Sequence, residues 1–269
     1  MAIKKYAFLA LALLSSVVKA DEDRCYKFYV GGDLGMGVFA VDRNTSVTGN
    51  FVTTPNADDT NFGNWCGSLG GPAFIGGARL GLAWDGSECW YAAVEGNIHY
   101  VGLKERTREY SDLGIGLNDG ALDFYKPDVR GCVNTDFMAG VNVHLGYKLC
   151  DCDSVIYVLG GYKYLKRNAY LNIGAYKDAE GTTAWEDITL RSCGGSNNGW
   201  TVGLGGLMNL RCDWDFRLEA AYAQFGRRCN RLSADVDTDS TANPTFKFNI
   251  NDNSRAQLFY GLASLGYNF

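Results

Sequence analysis

The chain has 269 residues, with 30 Asp+Glu against 25 Lys+Arg and a net charge of −5, an acidic balance that argues against nucleic acid as a partner. Its 34 Gly, 4 Pro, 14 Phe, 16 Tyr and 6 Trp favour strand over helix. Beyond the N-terminal stretch, no apolar run is long enough to cross a membrane as a helix.

The first predicted element is a secretory signal peptide over residues 1–20. "MAIKKY" supplies two lysines, "AFLALALLSSVV" an apolar run of about a dozen residues, and Val18 and Ala20 a small-residue cleavage pattern. The run is too short for a membrane anchor, and Asp21, Glu22 and Asp23 follow it at once. A lipid anchor would need a cysteine directly after the cut, whereas Cys25 lies five residues on. Residues 21–269 are then the mature protein, more acidic still because Lys4, Lys5 and Lys19 are gone.

Eight stretches with alternating faces follow. "YKFYVGGDLGMGVFA" sets Phe28, Val30, Leu34, Met36 and Val38 against Lys27, Gly31, Asp33 and Gly35. "FIGGARLGLAW" opposes Phe74, Ala78, Leu80, Leu82 and Trp84 to Arg79 and Gly81, and "CWYAAVEGNIHY" opposes Trp90, Ala92, Val94, Ile98 and Tyr100 to Glu95, Asn97 and His99. In "DFMAGVNVHLGYKL" the apolar face runs Phe137, Ala139, Val141, Val143, Leu145, Tyr147 and Leu149, opposite Asp136, Asn142, His144 and Lys148. "VIYVLGGYKYL" separates Ile156, Val158, Tyr162 and Tyr164 from Lys163. "WTVGLGGLMNL" gathers Trp200, Val202, Leu204, Met208 and Leu210, and "WDFRLEAAYAQF" sets Trp214, Phe216, Leu218, Ala220 and Tyr222 against Asp215, Arg217 and Glu219. The closing stretch presents Phe259, Gly261, Ala263, Leu265, Tyr267 and Phe269 on one face.

Alternation alone fits a soluble sandwich with one wet face equally well. Two observations separate the cases. Connections alternate in length: "DGSE", "CDCDS" and "RCD" are short, while the other four links run to about 25 to 35 residues, the layout of a transmembrane barrel with short periplasmic turns and long outer loops. The aromatics also fall into two tiers. Trp84, Trp90, Tyr147, Trp214, Tyr267 and Phe269 form a lower one, and Phe74, Tyr100, Phe137, Tyr162, Trp200, Tyr222 and Phe259 an upper one. These are the two girdles that flank an apolar band roughly 25 Å tall. The fold class is therefore all-β, a transmembrane antiparallel up-and-down β-barrel of eight strands with four long extracellular loops.

The closing "LFYGLASLGYNF" resembles the C-terminal strand of Gram-negative outer-membrane β-barrel proteins, and the eight-run pattern is similar to the small OmpA-like and OmpX-like barrels. The resemblance implies a bacterial outer-membrane location, outer-membrane lipid and the outer-membrane assembly machinery as partners, and Tyr267 and Phe269 as the assembly signal. Strand-like stretches in the long links, "SVTGNFVTT", "AYLNIGAY" and "TFKFNIN", leave open a count of ten or twelve, although none is long enough to span with both girdles.

All nine cysteines lie beyond residue 20, and a signal peptide sends them to an oxidising compartment. On this topology Cys66, Cys132, Cys193 and Cys229 belong to the outer loops or their edges, and Cys25, Cys89, Cys150, Cys152 and Cys212 to the periplasmic rim. Their number and placement resemble those of the cysteine-rich major outer membrane proteins of chlamydial and Legionella type. The likeness implies envelope cross-linking to disulfide-linked envelope proteins more than pore activity. Two disulfides among the four outer cysteines are expected, with the pairing open, and an odd inner count implies at least one free or intermolecular thiol. Cys150 and Cys152, with only Asp151 and Asp153 beside them, make a poor zinc set, so no metal is expected.

In the interior, aligned girdles put Arg79 level with Asp33 and Glu95, and Asp136, His144, Lys148, Lys163, Arg217 and Glu219 extend a mixed-sign inventory. Eight strands enclose only enough room for side chains, so these charges are expected to fill the lumen. A narrow gated pore through the Arg79 pairs is the other reading. Catalysis has little support, since His99 and His144 fall near opposite ends of neighbouring strands, with Asp136 the group nearest His99, and no serine completes a hydrolytic set. "GGDLGMG" lies in a strand with no helix after it, so it offers no phosphate cradle and no cofactor is expected. The sequence thus points to a non-enzymatic, surface-exposed envelope barrel whose loops meet host-surface ligands. A porin for small solutes is the alternative.

Overall fold

The computed structural model describes residues 26–51, 60–85, 89–110, 124–149, 154–179, 182–211, 213–237 and 245–269. The expected signal peptide and Cys25, Cys150, Cys152 and Cys212 lie outside these residues. The strands are β1 (Tyr26–Phe51), β2 (Thr60–Asp85), β3 (Trp90–Tyr110), β4 (Phe124–Leu149), β5 (Ser154–Ala179), β6 (Thr182–Arg211), β7 (Trp214–Phe225), β8 (Arg228–Asp237) and β9 (Thr245–Asn268).

Each strand pairs antiparallel with its neighbours, and β1 pairs with β9 from Tyr29↔Asn268 to Phe51↔Phe246, which closes the sheet. β7 and β8 both pair with β9 and are interrupted only at Gly226 and Arg227, so the nine segments make eight barrel staves. Closure is what lipid demands, because an unpaired strand edge in hydrocarbon leaves N–H and C=O groups with no partner. Following paired residues around the barrel from Tyr29 through Gly81, Glu95, Asn142, Gly161, Thr201, Ala223 and Leu258 returns to β1 at Phe39, a displacement of ten residues. That stagger tilts the staves and fixes a bore only as wide as the side chains that fill it.

The period-two pattern sorts residues cleanly. Leu34, Met36 and Val38 point outward at 61–67% exposed, while Tyr29, Asp33 and Phe39, of the opposite parity on the same strand, are buried. On the outer face the lower girdle is knit by edge-on ring contacts, Trp90–Tyr147 at 6.2 Å and Trp214–Tyr267 at 5.3 Å. Phe137–Tyr164 and Trp200–Tyr222 make ring contacts in the upper girdle. Phe269 is held at both ends of its residue: its N–H donates to the Phe28 carbonyl at 2.8 Å, and its ring lies 4.9 Å from Tyr267 and 5.7 Å from Phe28.

The outer links differ from the expected loops. β1, β2, β4 and β5 each run 26 residues and β6 runs 30. A tilted strand crosses the bilayer in about 9–11 residues, so more than half of each projects beyond it. "AYLNIGAY" lies within β5 and "TFKFNIN" within β9, and residues 46–51 of "SVTGNFVTT" lie within β1. They lengthen hairpins and add no stave. Pairing continues there because Val, Ile, Thr and Tyr keep alternating, and each added pair satisfies backbone groups that a loop would leave to water.

Candidate functional site

Among the described residues, charged side chains are buried together in the lumen of this closed barrel, whose lining comes from all eight staves. The strand register sorts that lining into two layers.

The layer nearer the short turns is ionic. Arg79 stands opposite Gly31 and Asn97, so Asp33 and Glu95 are its diagonal neighbours and not level with it. Its guanidinium nevertheless reaches both, with Nε 3.4 Å from Asp33 Oδ1 and Nη1 3.9 Å from Glu95 Oε2. Across the bore it also meets Glu219 at 3.7 Å and Asp215 at 3.9 Å. Arg217 stands 3.3 Å from both Glu95 and Asp215 and lies over the Tyr29 ring at 4.1 Å. These separations exceed the 2.7–2.9 Å of a tight charge-assisted bond, so the arginines are shared among several carboxylates and clamped to none.

Tyrosines and amides complete the layer. The Tyr29 hydroxyl donates to Glu95 Oε2 at 3.0 Å, Tyr157 to Glu219 Oε1 at 2.6 Å, Asn97 to Glu95 Oε1 at 3.2 Å, and Lys163 Nζ to Asn97 Oδ1 at 2.6 Å. His144 is entirely buried, stacks on Tyr157 with centroids 4.9 Å apart, and has no hydrogen-bond partner at either ring nitrogen. Two glycines make the packing feasible. A Cβ at Gly81 would sit 2.5 Å from the Tyr29 ring, and one at Gly205 2.7 Å from the Tyr157 ring, so each tyrosine lies across bare backbone on the neighbouring strand.

The layer nearer the long hairpins is apolar. Phe39, Ile75, Met138, Leu165 and Leu258 are fully buried and Phe225 is 1% exposed, with Val41, Val101 and Leu103 packed in the same layer. Above it, Arg167 Nη2 donates to Ser254 Oγ at 2.9 Å and Thr135 Oγ1 to the Val101 carbonyl at 2.8 Å. Sequence reading missed this layer because inward Phe39 and Val41 continue an otherwise glycine-rich polar face. The inward parity of Phe39, Leu165 and Phe225 was the available signal.

Several candidate residues fall elsewhere. Asp136 is not a lumen residue: at the β4 irregularity after Thr135 it pairs with exposed Lys166 at 3.4 Å, because the bulge turns it out of the inward parity. Lys148 is half-buried at the lower rim, where its N–H donates to the Cys89 carbonyl at 2.6 Å. His99 does not approach Asp136; its Nε2 lies 2.8 Å from Asp33 Oδ2, because both residues pair with Gly77 on β2 and the imidazole lies across that bare backbone. Asp215, Tyr29 and Tyr157 belong to the cluster and were not singled out. Cys89, at φ 63°, has a free thiol in the turn before β3. Cys66, Cys132, Cys193 and Cys229 lie on β2, β4, β6 and β8, all beyond the upper girdle, and their side chains are outside the described residues.

A closed antiparallel barrel with an apolar outer face, two aromatic girdles and a side-chain-filled bore defines an integral outer-membrane β-barrel. The chain belongs to the outer membrane protein beta-barrel domain family, whose profile matches residues 6–251, and this puts it in the bacterial outer membrane. No curated protein sequence matches it. Among solved structures it is similar to Ail, the attachment invasion locus protein of Yersinia pestis, at 11% identity over 87% of this chain and 99% of that one, TM-score 0.27. It is also similar to OprG of Pseudomonas aeruginosa, at 13% identity over 91% and 97%, TM-score 0.26. A third is the outer membrane protease OmpT of Escherichia coli, at 11% identity over 90% and 97%, TM-score 0.25. These likenesses concern the fold and assign no activity. The last one, an outer membrane protease, corrects the expectation that the chain is no enzyme, and that expectation is withdrawn.

Proposed function

We propose that this outer-membrane barrel is an envelope-structural, surface-displaying protein with an occluded lumen. The observation that carries the reading is the stacking of two differently built layers across the bore. A hydrated ion passing outward from the ionic layer would next meet Phe39, Ile75, Met138, Leu165, Phe225 and Leu258, none more than 1% exposed. Shedding its hydration shell among such side chains costs an ion far more than thermal energy supplies. The plug in this reading is thus as much apolar as charged.

The display role rests on the hairpins, which carry Cys66, Cys132, Cys193 and Cys229 on four different strands. Two disulfides among them would brace the hairpins into one surface for host ligands, and thiols at the lower rim would tie the barrel to its envelope neighbours. The test is planar-bilayer conductance of the barrel refolded in detergent. Silence is expected; large steady steps would establish the porin instead. Thiol counting before and after reduction, on the hairpin region released by limited proteolysis, is expected to find four thiols only after reduction.

A further inference from the structure

We propose that Glu95, His144 and Glu219 form a divalent-cation site in the ionic layer of the lumen, suited to a zinc-class ion held by one imidazole and two carboxylates. The three side chains come from β3, β4 and β7, on opposite sides of the bore, and their ligand atoms lie within 4.8 Å of one another. One imidazole with two carboxylates is a donor set that zinc accepts at about 2.0–2.2 Å, with a fourth position left for water or a hydroxyl. Tetrahedral bonding at that length needs donors about 3.4 Å apart, so the side chains close by at most about 1.4 Å.

The independent observation is His144. It is fully buried, and neither ring nitrogen has a hydrogen-bond partner. A buried polar ring left in that state costs free energy that coordination removes. Its plane is already set by stacking on Tyr157, 11° from parallel. The glutamates are likewise held from behind, Glu95 by Tyr29 and Asn97 and Glu219 by Tyr157, which is how partners behind a ligand orient it for a metal.

The surrounding charge sets the strength. Arg79, Lys163 and Arg217 face Asp33, Glu95, Asp215 and Glu219 in this layer, with His99 against Asp33 on the far side. The layer thus holds one more carboxylate than fixed cation, and a bound ion competes with Arg79 and Arg217 for the same oxygens. Binding is therefore expected to be weakened by Arg79 and strengthened by its removal.

The experiment uses the full mature chain refolded in detergent, with all thiols alkylated so that the nine cysteines cannot ligate, and titrated with Co2+ while the visible spectrum is followed. One equivalent with a tetrahedral nitrogen–oxygen spectrum is expected. His144→Phe, which keeps the ring stacking, and Glu219→Gln, which keeps the shape, should each lose at least tenfold in affinity. Arg79→Met should bind about tenfold more tightly, by loss of a charge beside both carboxylates. A wild-type barrel that takes up no cobalt overturns the proposal, and so does unchanged uptake in either folded His144→Phe or folded Glu219→Gln. Conductance is unaffected by this outcome, so the occluded-barrel reading stands or falls separately.

Discussion

The lower and upper halves of the lumen fill the same bore by opposite means. Toward the short turns the space is taken by arginines, carboxylates and tyrosines laid over glycines, with ion pairs at 3.3–3.9 Å and several polar atoms lacking a hydrogen-bond partner. Toward the hairpins it is taken by close-packed phenylalanine, leucine, isoleucine and methionine. Shared charges can redistribute among partners at little cost, whereas an apolar layer either excludes water or is broken. The ionic half is thus the adjustable part of the barrel and the apolar half its seal.

The largest expected effect comes from charging the seal. Phe39→Asp puts a carboxylate into the apolar layer, and Arg167 above that layer is already engaged with Ser254, so the barrel should fail to refold, seen as loss of the folded band in unheated electrophoresis. A folded, stable Phe39→Asp barrel would show that the outer half is wet and would break the contrast between the halves.

Arg217→Ala should come next. It strips the shared cation from Glu95 and Asp215, and breaking a buried pair in this way costs about 3–5 kcal/mol, read as a lower urea midpoint in detergent. Adding Glu95→Gln should recover part of the loss, because the stranded charge is then gone. Strict additivity of the two changes would mean that the charges do not act as one layer.

Gly81→Ala is a smaller probe, expected to cost about 1–3 kcal/mol by pushing the Tyr29 ring off its seat and lengthening its bond to Glu95. The smallest effect belongs to Lys166→Ala. Its pair with Asp136 is half in solvent, so urea stability should fall by less than about 1 kcal/mol. A loss as large as that of Arg217→Ala would place Asp136 with the lumen groups after all.

Much of the fold is legible in the residue order. Period-two alternation marks every stave, the short and long links give the up-and-down order, and the closing "LFYGLASLGYNF" supplies the strand that seals the sheet against β1. These are local properties, since the side of the sheet a residue faces depends only on its parity. The reach of the hairpins was less clear, because strand-like stretches in the long links read equally as extra staves or as extensions, and only pairing partners distinguish them.

The site divides in the same way. That Arg79, Glu95, Lys163, Arg217 and Glu219 point inward follows from parity. Which of them meet is decided by the ten-residue stagger around the closed barrel. It carries Arg79 across the bore to Asp215 and Glu219, whereas His99 meets Asp33 through their common partner Gly77 and a local bulge turns Asp136 outside. Height within the barrel is a sum over all eight registers, so no single stretch of sequence contains it. The sequence alone determined a membrane barrel with charges inside; the stagger decided that those charges gather in one half, beneath an apolar seal.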